Sequence, residues 1–181
     1  METRPALATE EDKNNKNTPL HLAVLRDKID VLSVLLDHDW SLGYVASSHA
    51  GGVPLLVSAA FRGHVGVARE LLKHCPDAPL AETNGWTCLH QAVWAGQMEF
   101  VDFVLGLPQF RRLINMRDKG GDTALHLAVQ KCNPKMVAAL LLHPDIDVTV
   151  LNNRGNNAIG KLWTTTDHSK TLNWVRTLRR I

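Results

Sequence analysis

Three of the nine histidines in this chain sit in near-identical company: His21, His90 and His126 each stand three residues after a threonine and two before an alanine. An imidazole titrates near neutrality, so a recurring histidine is the first place to look for acid–base catalysis or metal binding. Neither chemistry finds its other members. Metal sites need ligands converging from fixed spacings, and no HExxH, GxGxxG, GxSxG or GxxxxGK[ST] pattern occurs. The carboxylates Asp118, Asp122, Asp145 and Asp147 lie beside turn residues, where aspartate commonly bonds the local backbone. Cys75, Cys88 and Cys132 are odd in number, widely spaced and without a CxxC, which argues against a disulfide framework or a zinc site and fits a reducing compartment. We therefore assign no catalytic residue, no metal and no cofactor, and read the chain as a non-enzyme.

A residue that recurs with its surroundings is better explained by architecture. The segments Thr18 to Ala23 (TPLHLA), Thr87 to Ala92 (TCLHQA) and Thr123 to Ala128 (TALHLA) are one motif written three times. A weaker copy puts Pro54 at the threonine place and Ala59 at the alanine. A degenerate fifth begins at Asn157. Each motif reads as a helix start, since Thr18 can cap an orphan N–H and Pro19 gives up a donor that would be unpaired anyway. Asn157 can cap in the same way. A second apolar stripe follows each motif, at Ile29, Leu32, Leu35 and Leu36; at Val65, Ala68, Leu71 and Leu72; at Phe100, Val101 and Val104; and at Val137, Leu140 and Leu141. These spacings are those of a helix with one buried face. Turns rich in glycine or asparagine, such as Asn84-Gly85 and Lys119-Gly120-Gly121, separate the pairs. In this frame each histidine ring ties a helix start to the neighbouring hairpin backbone. Cys88 and Cys132 fill small-residue slots, those of the motif's proline and of a turn glycine.

The recurring TPLHLA, TCLHQA and TALHLA motifs resemble those of ankyrin repeats over roughly residues 13 to 174. The resemblance implies an all-α ankyrin-repeat solenoid of helix pairs joined by short β-hairpin loops. Repeats then start near residues 13, 49, 82 and 118, with a degenerate capping repeat from about 152. Residues 1–12 are expected to be a disordered segment ahead of a domain spanning 13–181. Ile114 to Ala128, Lys131 to Val137 and Asp167 to Trp174 also resemble plant ankyrin proteins of the accelerated-cell-death type. That family is known for defence and cell-death signalling at membranes, with more repeats than this chain and a hydrophobic membrane segment. This sequence departs on both counts, so the membrane location is not carried over.

The rest of the composition agrees with a cytoplasmic chain, peripheral to a membrane only through a partner. The formal net charge is +2, too weak a field to demand nucleic acid or anionic lipid. Residues 41–61 lack Asp, Glu, Lys and Arg, but Ser47, Ser48, His49, Gly51, Gly52 and Pro54 interrupt them. The longest apolar run, Met136 to Leu142, is too short to insert, and the N-terminus lacks the apolar stretch of a secretory signal. The tail reads as a last amphipathic helix, with Trp163, Leu172, Val175 and Leu178 covering the stack end and Arg176, Arg179 and Arg180 in solvent.

What the ankyrin resemblance implies about function is recognition of a protein partner on a concave face, at the hairpin tips and seven or eight residues after each motif threonine. Counting so gives Leu25 and Arg26, Phe61 and Arg62, Trp94 and Ala95, and Gln130 and Lys131, with Trp86 just ahead of Thr87; of these Arg26, Phe61, Arg62, Trp86, Trp94 and Lys131 are the expected contacts. Tryptophan and arginine are the types enriched where interfaces concentrate their energy. Trp86 keeps two readings at this stage, contact residue or packing between hairpins. The functional expectation is a rigid scaffold in plant defence or cell-death signalling, with a membrane-anchored ankyrin relative among the candidate partners. The alternative is a truncated remnant of such a relative that acts only by competing with it.

Overall fold

The computed structural model describes residues 17–45 and 52–160. The expected N-terminal segment and the expected terminal helix with Trp163, Leu172, Val175 and Leu178 lie outside them. The chain divides between Thr83 and Asn84 into two compact units, each built of two helix pairs. In the first, α1 (Pro19–Leu25) and α2 (Ile29–His38) precede α3 (Leu55–Arg62) and α4 (Val65–His74). In the second, α5 (Cys88–Ala95) and α6 (Met98–Leu105) precede α7 (Ala124–Gln130) and α8 (Pro134–Leu141). Short 3₁₀ turns at Trp40–Tyr44 and Pro108–Leu113 follow α2 and α6. This is the expected all-α repeat solenoid.

Each first helix begins where the motif begins. Thr18 and Thr87 hold extended backbone and accept the N–H three residues on through their side chains, and Pro19 opens the first turn of α1. Pro54 is the residue ahead of α3, the place threonine holds elsewhere, and it supplies no side-chain cap. At the fifth copy Asn157 Oδ1 accepts the Gly160 N–H at 2.6 Å, the bond of a capping asparagine.

No single helix pair has a core of its own. In the first unit α1 packs on α2 and α3, and α2 packs on α4. Leu20, Val24, Leu32, Leu36, Leu55, Val67 and Leu71 fill the space between them and are almost fully buried. The second unit repeats the plan, with α5 against α6 and α7, and Leu89, Phe100, Val104, Leu125, Val137 and Leu140 inside. Burial of a leucine-sized side chain contributes roughly 1.5–3 kcal/mol, so stacking rather than helix propensity supplies the stability. The anticipated stripes are buried with exceptions at their edges. Leu35, Val65 and Leu141 are half-buried, and Ile29, at the first residue of α2, is exposed and leans over Gly66 of α4.

Between the helices of every pair the chain reverses through one residue with positive φ, and it is Asp27, Gly63, Gly96 and Cys132 in turn. All four stand nine places after the motif start. Glycine adopts this left-handed conformation freely, whereas a Cβ there costs roughly 1–2 kcal/mol. Cys132 does occupy the glycine slot expected for it, but at φ 52 it carries that strain. Cys132→Gly should therefore stabilise the protein by about 1 kcal/mol and raise its melting temperature by roughly 2–4 °C. Gly96→Ala should lower it by a similar amount. A Cβ at Gly96 would meet nothing within 4 Å, so the loss there would be purely conformational. Calorimetry on both variants checks this, and an unchanged melting point for Cys132→Gly would show that the turn relaxes around the side chain.

Candidate functional site

The motif histidines are buried, His21, His90 and His126 being no more than 2% exposed. Their geometry is structural. His90 Nε2 lies 3.1 Å from the Asp122 carbonyl of the next hairpin, and His126 Nε2 lies 3.0 Å from that of Asn156. A carbonyl can only accept, so Nε2 carries the proton and Nδ1 is the acceptor. Nδ1 then takes the hydroxyl of Thr87 at 2.8 Å and that of Thr123 at 2.9 Å, with the threonine N–H directed to the same nitrogen. Burial holds His90 below the ordinary imidazole range, outweighing the Asp122 carbonyl that favours its charged form. With both nitrogens bonded and the ring out of water, it is no general base for a substrate. In the first unit His64 Nδ1 donates to the Val24 carbonyl at 2.8 Å, a second kind of tie between repeats.

The hairpins these rings hold are stitched tip to tip. Lys119 N–H donates to the Asn84 carbonyl and Asn153 N–H to that of Gly120, both at 3.0 Å. The Asn153 side-chain amide reaches the Lys119 carbonyl at 2.8 Å. Gly121 has φ 77, and a Cβ there would stand 2.6 Å from the Asn153 amide nitrogen, so only glycine lets the tips approach. Asp118 Oδ1 accepts the Asp122 N–H and Asp147 Oδ1 the Thr149 N–H, the local bonds expected of turn aspartates. Asp145 instead pairs with the Arg111 guanidinium, 34 residues away, which holds its carboxyl below the usual carboxylate range. Cys88 is fully buried, and burial pushes its thiol up to about 12, leaving it inert at neutral pH. Among the described residues no three His, Cys, Asp or Glu side chains gather as a metal-binding group.

Of the six residues selected as contacts, three come together in the second unit. Trp86 and Trp94 meet edge to face, with ring centroids 5.5 Å apart at 64°. Lys131, at the end of α7, places its Nζ 3.5 Å from the centre of the Trp94 ring, a cation–π contact. Trp86 Nε1 donates to Asp118 Oδ2 at 3.0 Å. Trp86 is thus packed between hairpins, half-buried and bonded to the neighbouring one, and it also forms one wall of the cluster around Trp94. Trp94 keeps 36% of its surface exposed. In the first unit Phe61 is 47% exposed, and the Arg62 guanidinium carbon lies 5.9 Å from its ring centre. Arg26 is exposed at the end of α1, at the same repeat position as Arg62. Sequence reasoning missed Asp118 as the anchor of Trp86 and Lys119 and Arg154 as exposed tip cations. For Asp118 a signal was available, since it lies 32 residues, close to one repeat period, from Trp86, whereas exposed cations carry no comparable signal.

The ankyrin-repeat family matches residues 15–44 as a single repeat and residues 42–111 and 80–152 as sets of repeats. The chain belongs to the ankyrin-repeat family. XBAT31 of Arabidopsis thaliana, a putative E3 ubiquitin-protein ligase, is 28% identical over 151 residues, covering 78% of this chain and 32% of the relative. XBOS31 of Oryza sativa subsp. japonica, a probable E3 ubiquitin-protein ligase, is 33% identical over 133 residues, covering 65% of this chain and 28% of the relative. The human transient receptor potential cation channel subfamily A member 1 is 32% identical over 134 residues, covering 70% of this chain and 12% of the channel. The chain spans about a third of the length of the plant relatives it matches. Relatives named as ligases and as a channel match this ankyrin chain over only part of their own length, and ankyrin repeats fit an interaction scaffold. No described helix is long and apolar enough to cross a membrane.

The buried ring sets a pH dependence with a definite sign. His90 is held neutral in the fold, whereas in the unfolded chain it takes up a proton below about 6.5. The unfolded state then binds more protons, so stability present above that pH is lost as the pH falls through it. Chemical denaturation at pH 7.5 and 5.5 should show the midpoint falling. His90→Gln should lower stability at pH 7.5 by about 2 kcal/mol, roughly 4–8 °C, through the lost hairpin tie. It should also flatten the pH slope, and a slope unchanged in His90→Gln would place the proton uptake at another group.

Proposed function

We propose that this ankyrin domain recognises a protein partner on its hairpin tips and first-helix ends. Trp94, Trp86 and Lys131 in the second unit and Arg26, Phe61 and Arg62 in the first are the contact residues. The observation that carries the reading is the exposed Trp94 ring, held between Trp86 and Lys131 before any partner arrives. A rigid aromatic in a fixed rotamer loses little freedom on binding and offers a large contact area, which is why such residues dominate interfaces. Plant defence or cell-death signalling is the setting we infer. The resemblance of Ile114 to Ala128 to accelerated-cell-death proteins supports it, as do two plant relatives. Those relatives are named as ubiquitin-protein ligases, in which a repeat stack would serve to choose a target, and target selection is the role we infer for this chain.

Affinity capture from plant extract with quantitative mass spectrometry, run in parallel on the parent protein and Trp94→Ala, tests the reading. At least one captured protein should fall away in the variant, and its affinity, measured on the purified pair, should drop by roughly thirtyfold, or about 2 kcal/mol. Arg62→Glu should weaken binding in a salt-dependent way if the partner surface is acidic there. Both variants should melt near the parent temperature, since exposed positions usually shift stability by less than about 0.5 kcal/mol. Recovery of every partner unchanged by Trp94→Ala, or unfolding of that variant, would remove Trp94 from the interface.

A further inference from the structure

The tip of the second unit has a charge pattern that its own chain leaves unbalanced. Arg117, Lys119, Lys131 and Arg154 are all exposed. None of them enters an ion pair among the described residues. The carboxylates beside them are engaged: Asp118 by the Trp86 indole N–H and the Asp122 amide, and Asp122 by the Asn152 side-chain amide at 2.8 Å. Exposed Glu99 stands in the first turn of α6, past the chain reversal at Gly96. The four residues stand on adjoining hairpins and a first-helix end that bonds and ring contacts join to one another. Asn153 joins Arg117 at 3.0 Å and the Lys119 carbonyl at 2.8 Å, and Arg154 follows it in the chain. Trp86 links that surface through Asp118 to Trp94 and so to Lys131.

We infer that this surface takes an acidic peptide segment of the partner protein, with glutamates or aspartates over Lys119, Arg154 and Lys131 and an apolar side chain against the exposed part of Trp94. The assignment rests on the protein-binding reading above and narrows it. Complementary charge of this kind sets specificity and encounter rate, while the indole supplies the anchor. A single-stranded nucleic acid is the other polyanion with flat groups, but it gains affinity from successive stacking platforms along a basic groove. This tip offers two tryptophans packed edge to face rather than a row of platforms, and the net charge of the chain is only +2.

The test uses the full chain and three fluorescein-labelled probes. Two are peptides with the same leucine and tryptophan positions, whose remaining residues are all glutamate in one and all lysine in the other. The third is an oligothymidylate. Fluorescence anisotropy at low salt should show the glutamate peptide binding at least tenfold more tightly than the lysine peptide and the oligonucleotide. The double variant Lys119→Glu and Arg154→Glu should lose about tenfold of that affinity. Its hairpin bonds run through the Lys119 backbone and Arg154 N–H, so they are retained and its melting point is the control. Most of the loss should vanish in about 1 M salt, where the Debye length is roughly 3 Å. Binding of neither peptide, equal binding of both, preference for the oligonucleotide, or indifference to the charge reversal overturns the inference. Loss of a captured partner in Trp94→Ala with no binding of the glutamate peptide would leave the protein-binding reading standing and remove the acidic assignment alone.

Discussion

The interaction on which the surface depends is buried: an imidazole that accepts from the threonine opening its own helix and donates to a carbonyl of the next hairpin. A helix pair cannot hide its apolar face alone, and successive pairs must meet in one register for their leucines to interlock. Apolar contact is tolerant of small slips, whereas a hydrogen bond from a buried ring is not, since a misplaced ring would leave a donor unmet at roughly 1–3 kcal/mol. His90 and His126 thus convert loose stacking into a fixed offset between hairpins. The same burial holds His90 below the ordinary imidazole range, and with both ring nitrogens bonded the features that make these histidines structural also remove them from chemistry.

The fixed offset determines where the exposed side chains fall. Trp94 and Lys131 both belong to the last stretch of a first helix, just before the left-handed reversal at Gly96 or Cys132. They are 37 residues apart in sequence, one position more than the step between their motif threonines. The Lys131 ammonium lies over the Trp94 ring. Trp86 precedes its motif threonine and takes the place that Asp122 holds one repeat later. Asp118, on the facing side of that later hairpin, receives its indole N–H. Local turns and helix ends supply the directions, and the repeat offset supplies the distances.

Most of the architecture was legible because it is written in residues whose types admit few readings. Threonine three residues ahead of histidine, with proline or a small residue between, marks a helix start wherever it recurs, and Pro54 could be aligned to it without a gap. What the sequence left open at Trp86 was open for a physical reason: indole has an apolar body and one donor, and the structure uses both at once. The Arg111–Asp145 pair and the contact of Ser33 and His74 with Glu70 were not anticipated. They join side chains 34 or more residues apart, or four apart on one helix, among many charged groups of similar spacing. Burial patterns narrow the choice of apolar neighbours, but exposed charges have no comparable filter. The cations at the tip escaped notice for the same reason, since Lys119 and Arg154 are ordinary surface residues until the stacking of Asn84, Lys119 and Asn153 puts them on one surface.

The two walls of the Trp94 cluster differ in what they resist. Trp86 is tied at its backbone N–H to Asn84 and at its ring N–H to Asp118, so its rotamer is fixed from both ends. Among the described residues the Lys131 ammonium rests on the Trp94 face, an exposed cation–π contact worth roughly 0.5–1 kcal/mol, and it can swing away. An incoming carboxylate would draw that ammonium off the indole and uncover the ring at the same moment. An apolar group alone would have to displace the ammonium without offering it a counter-charge. The cluster therefore favours a ligand that brings both groups together, and it does so because one wall is rigid while the other is a cation with a choice of partners.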